Sequence, residues 1–158
     1  MIVETEAYQG PEDKAAHSHN NRRTKRTEIM FHAGGVAYVF FVYGMYHQFN
    51  VVVGKANRPH AILVRAIEPI DGIEIMRERR GKMHDENLTS GPGKLAIALG
   101  IGKALNGADL VRTDVWIEEG RIPRGDVLSG KRIGIDYAEE FAIKPWRFWL
   151  KQNQFVSR

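Results

Sequence analysis

The chain has 158 residues, with 23 Lys and Arg against 19 Asp and Glu, a net charge of +4 and 43% hydrophobic residues. This ordinary globular composition excludes a disordered tail, a collagen and a coiled coil, and the length favours one domain. The absence of cysteine excludes disulfides, iron–sulfur clusters, thiol nucleophiles and cysteine-containing zinc sites. Since no apolar run reaches the roughly 18 residues of a membrane span and the start does not resemble a signal peptide, we expect a soluble cytoplasmic protein.

The hydrophobic pattern predicts more strands than helices. Runs rich in β-branched and aromatic residues predict strands at residues 2–8, 36–42, 49–53, 61–67, 115–117, 132–135 and 147–150. Helices are predicted at residues 73–80 and directly after Ser90–Gly91–Pro92, because a hydroxyl residue followed by proline is a common helix start. Because the helices do not alternate strictly with the strands, we expect an α+β fold with one compact domain, a curved, mainly antiparallel sheet and short flanking helices.

Basic residues are concentrated in three stretches of the chain. They lie at residues 14–26, where His17 and His19 accompany them, at residues 77–82, and at residues 144–158. Basic clusters that are distant in sequence can meet in one phosphate-binding face. An ordinary solvated surface is the alternative for any single stretch.

The aromatic residues are also unevenly distributed. Six of the 15 aromatic residues lie between Tyr38 and Phe49. Aromatic rings can stack on unpaired bases, and basic residues can contact phosphates, so the two patterns together favour nucleic-acid binding. The alternative is that the same aromatic stretch belongs to the core.

Two carboxylates, Glu4 and Glu6, share one face of the first predicted strand with Tyr8 and lie about 7 Å apart. A buried carboxylate is unfavourable unless it is paired, and Arg65 in the apolar strand at residues 61–67 needs such a partner. One glutamate can therefore be a base and the other a partner of Arg65. Two alternatives are an exposed strand face and the paired carboxylates of a carbohydrate glycosidase.

The sequence gives little support to a metal or nucleotide site. His17 and His19 lack an HExxH context and a neighbouring carboxylate cluster, so we expect no metal and no cofactor. Gly91–Pro92–Gly93–Lys94 differs from a phosphate-binding loop, because Leu95 stands where Ser or Thr would hold magnesium.

Five sequence blocks resemble, in order, the motifs of the alkyladenine (3-methyladenine) DNA glycosylases, also called methylpurine DNA glycosylases. The blocks are IVETEAYQGPEDKAAHS (2–18), AYVFFVYGMYHQFNVVV (37–53), ILVRAIEP (62–69), SGPGKLAIALGI (90–101) and KPWRFW (144–149). The resemblance implies a monofunctional hydrolase that works in base excision repair as a monomer on double-stranded DNA. Such an enzyme flips alkylated or deaminated purines (3-methyladenine, 7-methylguanine or hypoxanthine) out of the duplex and hydrolyses the N-glycosidic bond.

The resemblance also implies the roles of individual residues. Glu6 matches the catalytic carboxylate that deprotonates the attacking water, and Arg65 matches the arginine that helps to place this water. Tyr43 matches the residue that inserts into the duplex where the base has left.

The same motifs imply a pocket for the flipped base, formed by Tyr8, Ala15, His17, Phe40 and Asn50. Tyr8 and His17 match one wall, and Phe40 matches the opposite wall. The backbone of Ala15 matches the part that reads the base edge, while Asn50 matches a side chain that disfavours the 2-amino group of guanine.

The chain also departs from the family pattern. Many members carry Tyr at the position of Phe40, so the stacking surface is kept and a hydroxyl is lost. Members usually carry some tens of residues before the VETEAY segment, so we expect residues 1–158 to form a single glycosylase domain without the N-terminal segment of the family. A non-catalytic nucleic-acid-binding module with the same fold is the alternative function.

Overall fold

The computed structural model describes residues 1–81, 83–111, 114–120 and 124–157, and six strands in this part of the chain form one open sheet. The strands are β1 (Ile2–Gln9), β2 (Ala37–Val42), β3 (Tyr46–Val53), β4 (His60–Ile67), β5 (Val127–Gly130) and β6 (Arg147–Leu150). Their order across the sheet is β2–β3–β4–β1–β6–β5, and all neighbouring strands pair antiparallel. The predicted α+β fold, one compact domain with a mainly antiparallel sheet, is confirmed.

The two predicted helices are present as α1 (Ile73–Arg80) and α2 (Pro92–Leu99). Each is followed by a glycine with positive φ, Gly81 at 82° and Gly100 at 68°, a conformation that glycine adopts without steric cost. The remaining helical segments are short 3₁₀ turns at His19–Asn21, Glu28–Phe31, Asp85–Asn87, Lys103–Leu105, Arg124–Asp126 and Asp136–Phe141. No helix in the described ranges is long and apolar enough to cross a membrane.

Two predicted strands are wrong, and one strand was missed. Described residues 115–117 and 132–135 form no strand. In the second segment Gly134 has a φ of 74°, which turns the chain out of the extended conformation. The missed strand β5 is only four residues long and largely exposed, so it lacks the alternation of buried and exposed residues that identifies a strand in a sequence.

The main core lies between α2 and one face of the sheet. Successive residues of a strand point to opposite faces. Accordingly, Ala37 and Val39 of β2 pack on the α2 side, while Tyr38 points to the other side. The buried cluster on the α2 side contains Ala37, Val39, Phe49, Val64, Leu95, Ala96, Ile101 and Leu110. The other face carries a smaller cluster, formed by Met30, Phe31, Tyr38, Val52 and Ala61.

Gly10, directly after β1, lies against a buried hydrogen bond. A Cβ atom at this position would lie 2.1 Å from Ser18 Oγ and 2.7 Å from the Pro59 carbonyl oxygen. Since Ser18 Oγ donates to that carbonyl at 3.2 Å, neither atom can move away without loss of the bond. We therefore expect Gly10→Ala to lower the free energy of unfolding by about 1–3 kcal/mol in denaturant titrations.

The matched control is Gly102→Ala, since no heavy atom of the described residues lies within 4 Å of a Cβ built there. We expect this substitution to change the free energy of unfolding by less than about 0.5 kcal/mol. Equal effects of the two substitutions would contradict the close-contact explanation.

Candidate active site

A cavity of about 130 Å³ lies on the face of the sheet opposite α2. Four residues that line it form a row across adjacent strands: Tyr38 pairs with Asn50, Asn50 with Leu63, and Leu63 with Glu6. Directly paired residues of antiparallel strands point to the same face of a sheet. The register of β2, β3, β4 and β1 therefore brings these side chains together.

Glu6 is the fully buried carboxylate of this row. Its Oε1 atom accepts a hydrogen bond from the Ile133 backbone N–H at 2.7 Å and lies 3.2 Å from Arg65 Nη1. Its Oε2 atom accepts one from the Tyr8 hydroxyl at 2.9 Å. Glu6 lines the cavity, and the described residues bring three donors to a carboxylate with about four acceptor positions. One position on Oε2 therefore has no partner among these residues, and a water molecule bound there could transfer a proton to Glu6.

Tyr8 acts only as a donor to Glu6. Burial and the neighbouring Glu6 carboxylate raise the pKa of the Tyr8 hydroxyl well above its ordinary value. The hydroxyl is therefore protonated at neutral pH, and the Glu6 carboxylate is held in one orientation.

Glu4 has a different environment: it accepts four hydrogen bonds and is not among the described residues that line the cavity. Oε1 accepts hydrogen bonds from Arg65 Nε at 2.8 Å, Arg147 Nε at 2.6 Å and Ser157 Oγ at 2.8 Å, and Oε2 accepts one from the Ser157 N–H at 2.7 Å. Burial by itself would raise the pKa of Glu4, but the hydrogen bonds from Ser157 and the charge of Arg65 hold it below its ordinary value. Glu4 is thus an ionised structural partner.

The expectation that Arg65 pairs with a carboxylate of the first strand is confirmed, because it contacts both Glu4 and Glu6. The alternative of two glycosidase carboxylates loses its support. Glu4 is not among the described residues that line the cavity, and it is hydrogen-bonded to Arg65, Arg147 and Ser157.

The rings of His17 and Phe40 differ from the arrangement that the resemblance implies. In the structure they touch, with centroids 4.5 Å apart and planes at 73°, so no base fits between them. The reason is that Phe40 follows Tyr38 by two residues on the same face of β2, and His17 Nδ1 lies 2.9 Å from the Tyr38 hydroxyl oxygen. His17 and Phe40 therefore form one continuous side of the cavity.

His17 is uncharged at neutral pH. Burial, and then the positive charges of Arg26 and Arg22, lower the pKa of His17 to about 4. A positively charged group in the cavity is therefore not repelled by this ring.

The remaining two predicted pocket residues also line the cavity. Ala15 lies in the loop after β1, and Asn50 lies on β3. The Asn50 side-chain amide donates to the Tyr38 carbonyl oxygen at 3.2 Å, which fixes the orientation of the amide group.

A buried ion pair that the sequence analysis missed joins three segments around the cavity. The Arg132 guanidinium donates to both oxygens of Asp13, at 2.5 and 2.9 Å, and to the Ala7 carbonyl oxygen at 2.9 Å. Asp13 also accepts a hydrogen bond from the Ala15 N–H at 3.0 Å. The pair therefore holds Ile133, the donor to Glu6, beside β1. The one signal in the sequence was an arginine at the start of the short segment at residues 132–135, for which a strand was predicted.

Tyr43 lies at the tip of the β2–β3 hairpin, where its side chain is 77% exposed beside the cavity. Both Tyr43 and Gly44 have positive φ values, 54° and 67°, and the Met45 N–H donates to the Val42 carbonyl oxygen at 3.2 Å. A positive φ is unfavourable for tyrosine by about 1 kcal/mol or more. The tight turn therefore places the Tyr43 backbone at the tip of the hairpin.

Several of the basic residues have partners within the protein. Lys14 pairs with Glu139 and Glu140, and Arg23 pairs with Glu28. In the second stretch Arg77 pairs with Asp85, and Arg79 and Arg80 donate to backbone carbonyl oxygens; Lys82 lies outside the described residues, as does Arg158 of the third stretch. The three arginines of the second stretch therefore have partners within the protein, a carboxylate or backbone carbonyl oxygens.

The described residues contain no group of three or more His, Asp or Glu side chains that could hold a metal ion. His17 and His19, the pair considered from the sequence, hydrogen-bond to the Tyr38 hydroxyl and the Pro11 carbonyl oxygen respectively.

Comparison with known proteins identifies close relatives over the whole chain. The profile of the family described as methylpurine-DNA glycosylase matches residues 1–154. Proteins with the provisional name 3-methyladenine DNA glycosylase match from three bacteria. The protein of Alkaliphilus oremlandii is 50% identical over 165 aligned positions, which cover 99% of this chain and 82% of the relative. Those of Natranaerobius thermophilus and Bacillus mycoides are 47% and 48% identical, covering 99% and 100% of this chain and 81% and 83% of the relatives.

Replacement of Glu4 tests its structural role. Because Glu4→Gln leaves two guanidinium groups without their shared carboxylate, we expect the free energy of unfolding to fall by about 3–5 kcal/mol. The folded-state pKa of Glu4 is lowered, so its contribution is present above the ordinary carboxyl pKa and is lost as the pH falls through the folded-state value. Denaturant unfolding measured from pH 7 into the acid range should therefore show a weaker pH dependence for Glu4→Gln than for the wild type.

The control is Glu12→Gln, because Glu12 is exposed. We expect this variant to keep the wild-type stability and pH dependence. A Glu4→Gln protein as stable as the wild type would contradict the structural assignment.

Proposed function

Because the chain belongs to the methylpurine-DNA glycosylase family and is thus a hydrolase of N-glycosidic bonds in DNA, we propose that it excises 3-methyladenine, 7-methylguanine and hypoxanthine from duplex DNA in base excision repair. We further propose that residues 1–158 act as a single glycosylase domain, as a monomer, on chromosomal DNA in the cytoplasm. The observation that carries the proposal is the buried Glu6 carboxylate, which lines the cavity and has one acceptor position on Oε2 without a partner among the described residues.

The first step is displacement of the base from the duplex. A stacked base shields its glycosidic bond, and unstacking costs a few kcal/mol, less for a damaged pair. In the proposal Tyr43 enters the space that the base leaves, as wedge residues do in other DNA-binding proteins. Its exposure and its place at the hairpin tip support this role.

The flipped base then stacks on Tyr8 and reaches the side formed by His17 and Phe40. One face of the Tyr8 ring is covered by Arg132, whose guanidinium carbon lies 4.6 Å from the ring centroid, so the base uses the other face. Asn50 and the backbone of Ala15 contact the base edge. Because Phe40 has no hydroxyl, it contributes stacking without a hydrogen bond.

Hydrolysis needs a base for the water and stabilisation of the sugar. In the proposal Glu6 accepts a proton from water while the water oxygen bonds to C1′, and Arg65 positions both the carboxylate and the water. The C1′–N bond breaks with its electron pair going to the purine, so a cationic methylpurine leaves as a neutral base. The adjacent carboxylate stabilises the oxocarbenium-like sugar of the transition state.

The decisive measurement is release of 3-methyladenine or 7-methylguanine from alkylated DNA. A non-catalytic module with the same fold would bind DNA and release neither base. Absence of release by the intact chain would refute the proposed function.

Glu6→Gln tests the chemical step. We expect excision of 7-methylguanine under single-turnover conditions to fall by at least about 100-fold, because the general base is lost, while the Kd for damaged DNA stays near the wild-type value.

Glu12→Gln, at an exposed glutamate of the same region, serves as the control and should keep full activity. If Glu6→Gln lost binding and excision to the same extent, Glu6 would have a role in folding instead of the chemistry.

Tyr43→Ala tests the wedge. We expect the Kd for damaged duplex DNA to rise about tenfold, the effect of one lost stacking partner, and Tyr43→Phe to behave like the wild type because it keeps the ring. Excision from single-stranded DNA should change less, since no gap in a duplex has to be filled. Unchanged binding and excision of duplex substrates by Tyr43→Ala would refute the wedge role.

A further inference from the structure

We propose that Arg26 sets the preference of the cavity between cationic and neutral damaged purines, because its guanidinium, which has no carboxylate partner among the described residues, opposes a positively charged base next to Phe40. The inference rests on the proposed function and extends it to the charge of the substrate. Arg26 was assigned no role by the sequence motifs.

The first observation is the position of Arg26 against a cavity wall. Its guanidinium carbon lies 5.1 Å from the centroid of the Phe40 ring. Phe40 lines the cavity, whereas Arg26 is not among the described residues that line it, so the guanidinium lies against a ring of the cavity wall. The cation–π attraction of Phe40 is therefore already used by Arg26, and a second cation on the cavity side gains less from the ring.

The second observation is that the buried charges around the cavity balance one another. The buried network contains three carboxylates and three guanidinium groups, from Glu4, Glu6, Asp13, Arg65, Arg132 and Arg147. Arg26 is exposed, and no described carboxylate lies within salt-bridge distance of it. Its charge is thus not cancelled inside the protein.

The third observation is that this charge acts on groups that line the cavity. After burial, the charge of Arg26 is the next cause of the lowered pKa of His17. In Tyr38, burial raises the pKa to about 12 against an opposing effect of Arg26. A charge that disfavours the protonation of His17 also disfavours a cationic base beside it.

The consequence concerns two classes of damaged purine. Methylation at N3 or N7 gives the purine ring a positive charge, whereas deamination of adenine gives neutral hypoxanthine. Electron-rich rings alone would favour the cationic class. Arg26 reduces this advantage, so the cavity accepts neutral purines beside cationic ones.

The test uses two bases of the same shape and different charge. One duplex contains the 2′-fluoro nucleotide of 7-methylguanine, which is cationic and resists hydrolysis. The other contains the 2′-fluoro nucleotide of 7-deaza-7-methylguanine, its neutral isostere. The Kd of each duplex is measured at pH 6, where 7-methylguanine keeps its N1 proton and His17, with a pKa of about 4, is uncharged.

Removal of the charge should change the ratio of the two affinities. We expect Arg26→Gln to raise the preference for the cationic duplex about fivefold, which is the effect expected when one partly screened charge is removed. Arg26→Lys keeps the charge and should leave the preference near the wild-type value.

Arg23→Gln is the matched control. The Arg23 guanidinium carbon lies 4.9 Å from the centroid of another phenylalanine ring, Phe31, but Arg23 pairs with Glu28 at 2.6 Å. Phe31 is not among the described residues that line the cavity. This variant should keep the wild-type preference.

Each alternative outcome is decisive. If Arg26→Gln weakens binding of both duplexes equally, Arg26 is a phosphate contact and the inference is overturned; an unchanged ratio with unchanged affinities also overturns it. Failure of the proposed function is measured separately, as absence of methylpurine release by the wild type. In that case the Kd values of the cationic and neutral duplexes still decide the role of Arg26. Wild-type binding of both duplexes no tighter than undamaged DNA would overturn both proposals.

Discussion

The pairing of Arg65 with two glutamates is the interaction on which the rest of the site depends. Arg65 lies on β4 and contacts Glu4 and Glu6 of the neighbouring strand β1, and Glu4 in turn holds Arg147 of β6. Three adjacent strands of the sheet are thus joined by buried charges. Because a buried charge is tolerated only when it is paired, this network specifies where the side chains of β1 must point, and it leaves Glu6 at the cavity.

A second buried pair extends this control to parts of the chain without regular structure. Asp13 and Arg132 are separated by 119 positions in sequence and joined by two hydrogen bonds. These hydrogen bonds hold the loop after β1 against the segment before Asp136–Phe141 at the edge of the cavity. This one ion pair therefore positions both the Ile133 N–H, which donates to Glu6, and the backbone near Ala15. The proposed chemistry and the proposed base recognition both depend on it.

Charge around the cavity is organised in two layers. The inner layer consists of paired groups that orient Glu6, and the outer layer includes Arg26, which has no carboxylate partner among the described residues. Inner charges cannot be changed without loss of stability, whereas an exposed arginine can be replaced at little cost in folding. Selectivity between substrates of different charge can therefore vary while the arrangement of Glu6, Arg65 and Tyr8 is retained.

The sequence by itself determined the strands β1 to β4 and β6, both helices and the family motifs, because alternation, glycine ends and contiguous motifs are local properties. It did not determine β5 or the irregular segment at Arg132, since their conformations depend on partners far away in the chain. The strand pattern placed Glu4 and Glu6 on one face without distinguishing them, and only the family motifs singled out Glu6. The tertiary structure decided that Glu4 is bonded to Arg65, Arg147 and Ser157 and that Glu6 lines the cavity, because the surroundings of a carboxylate depend on which groups the folded chain brings to it.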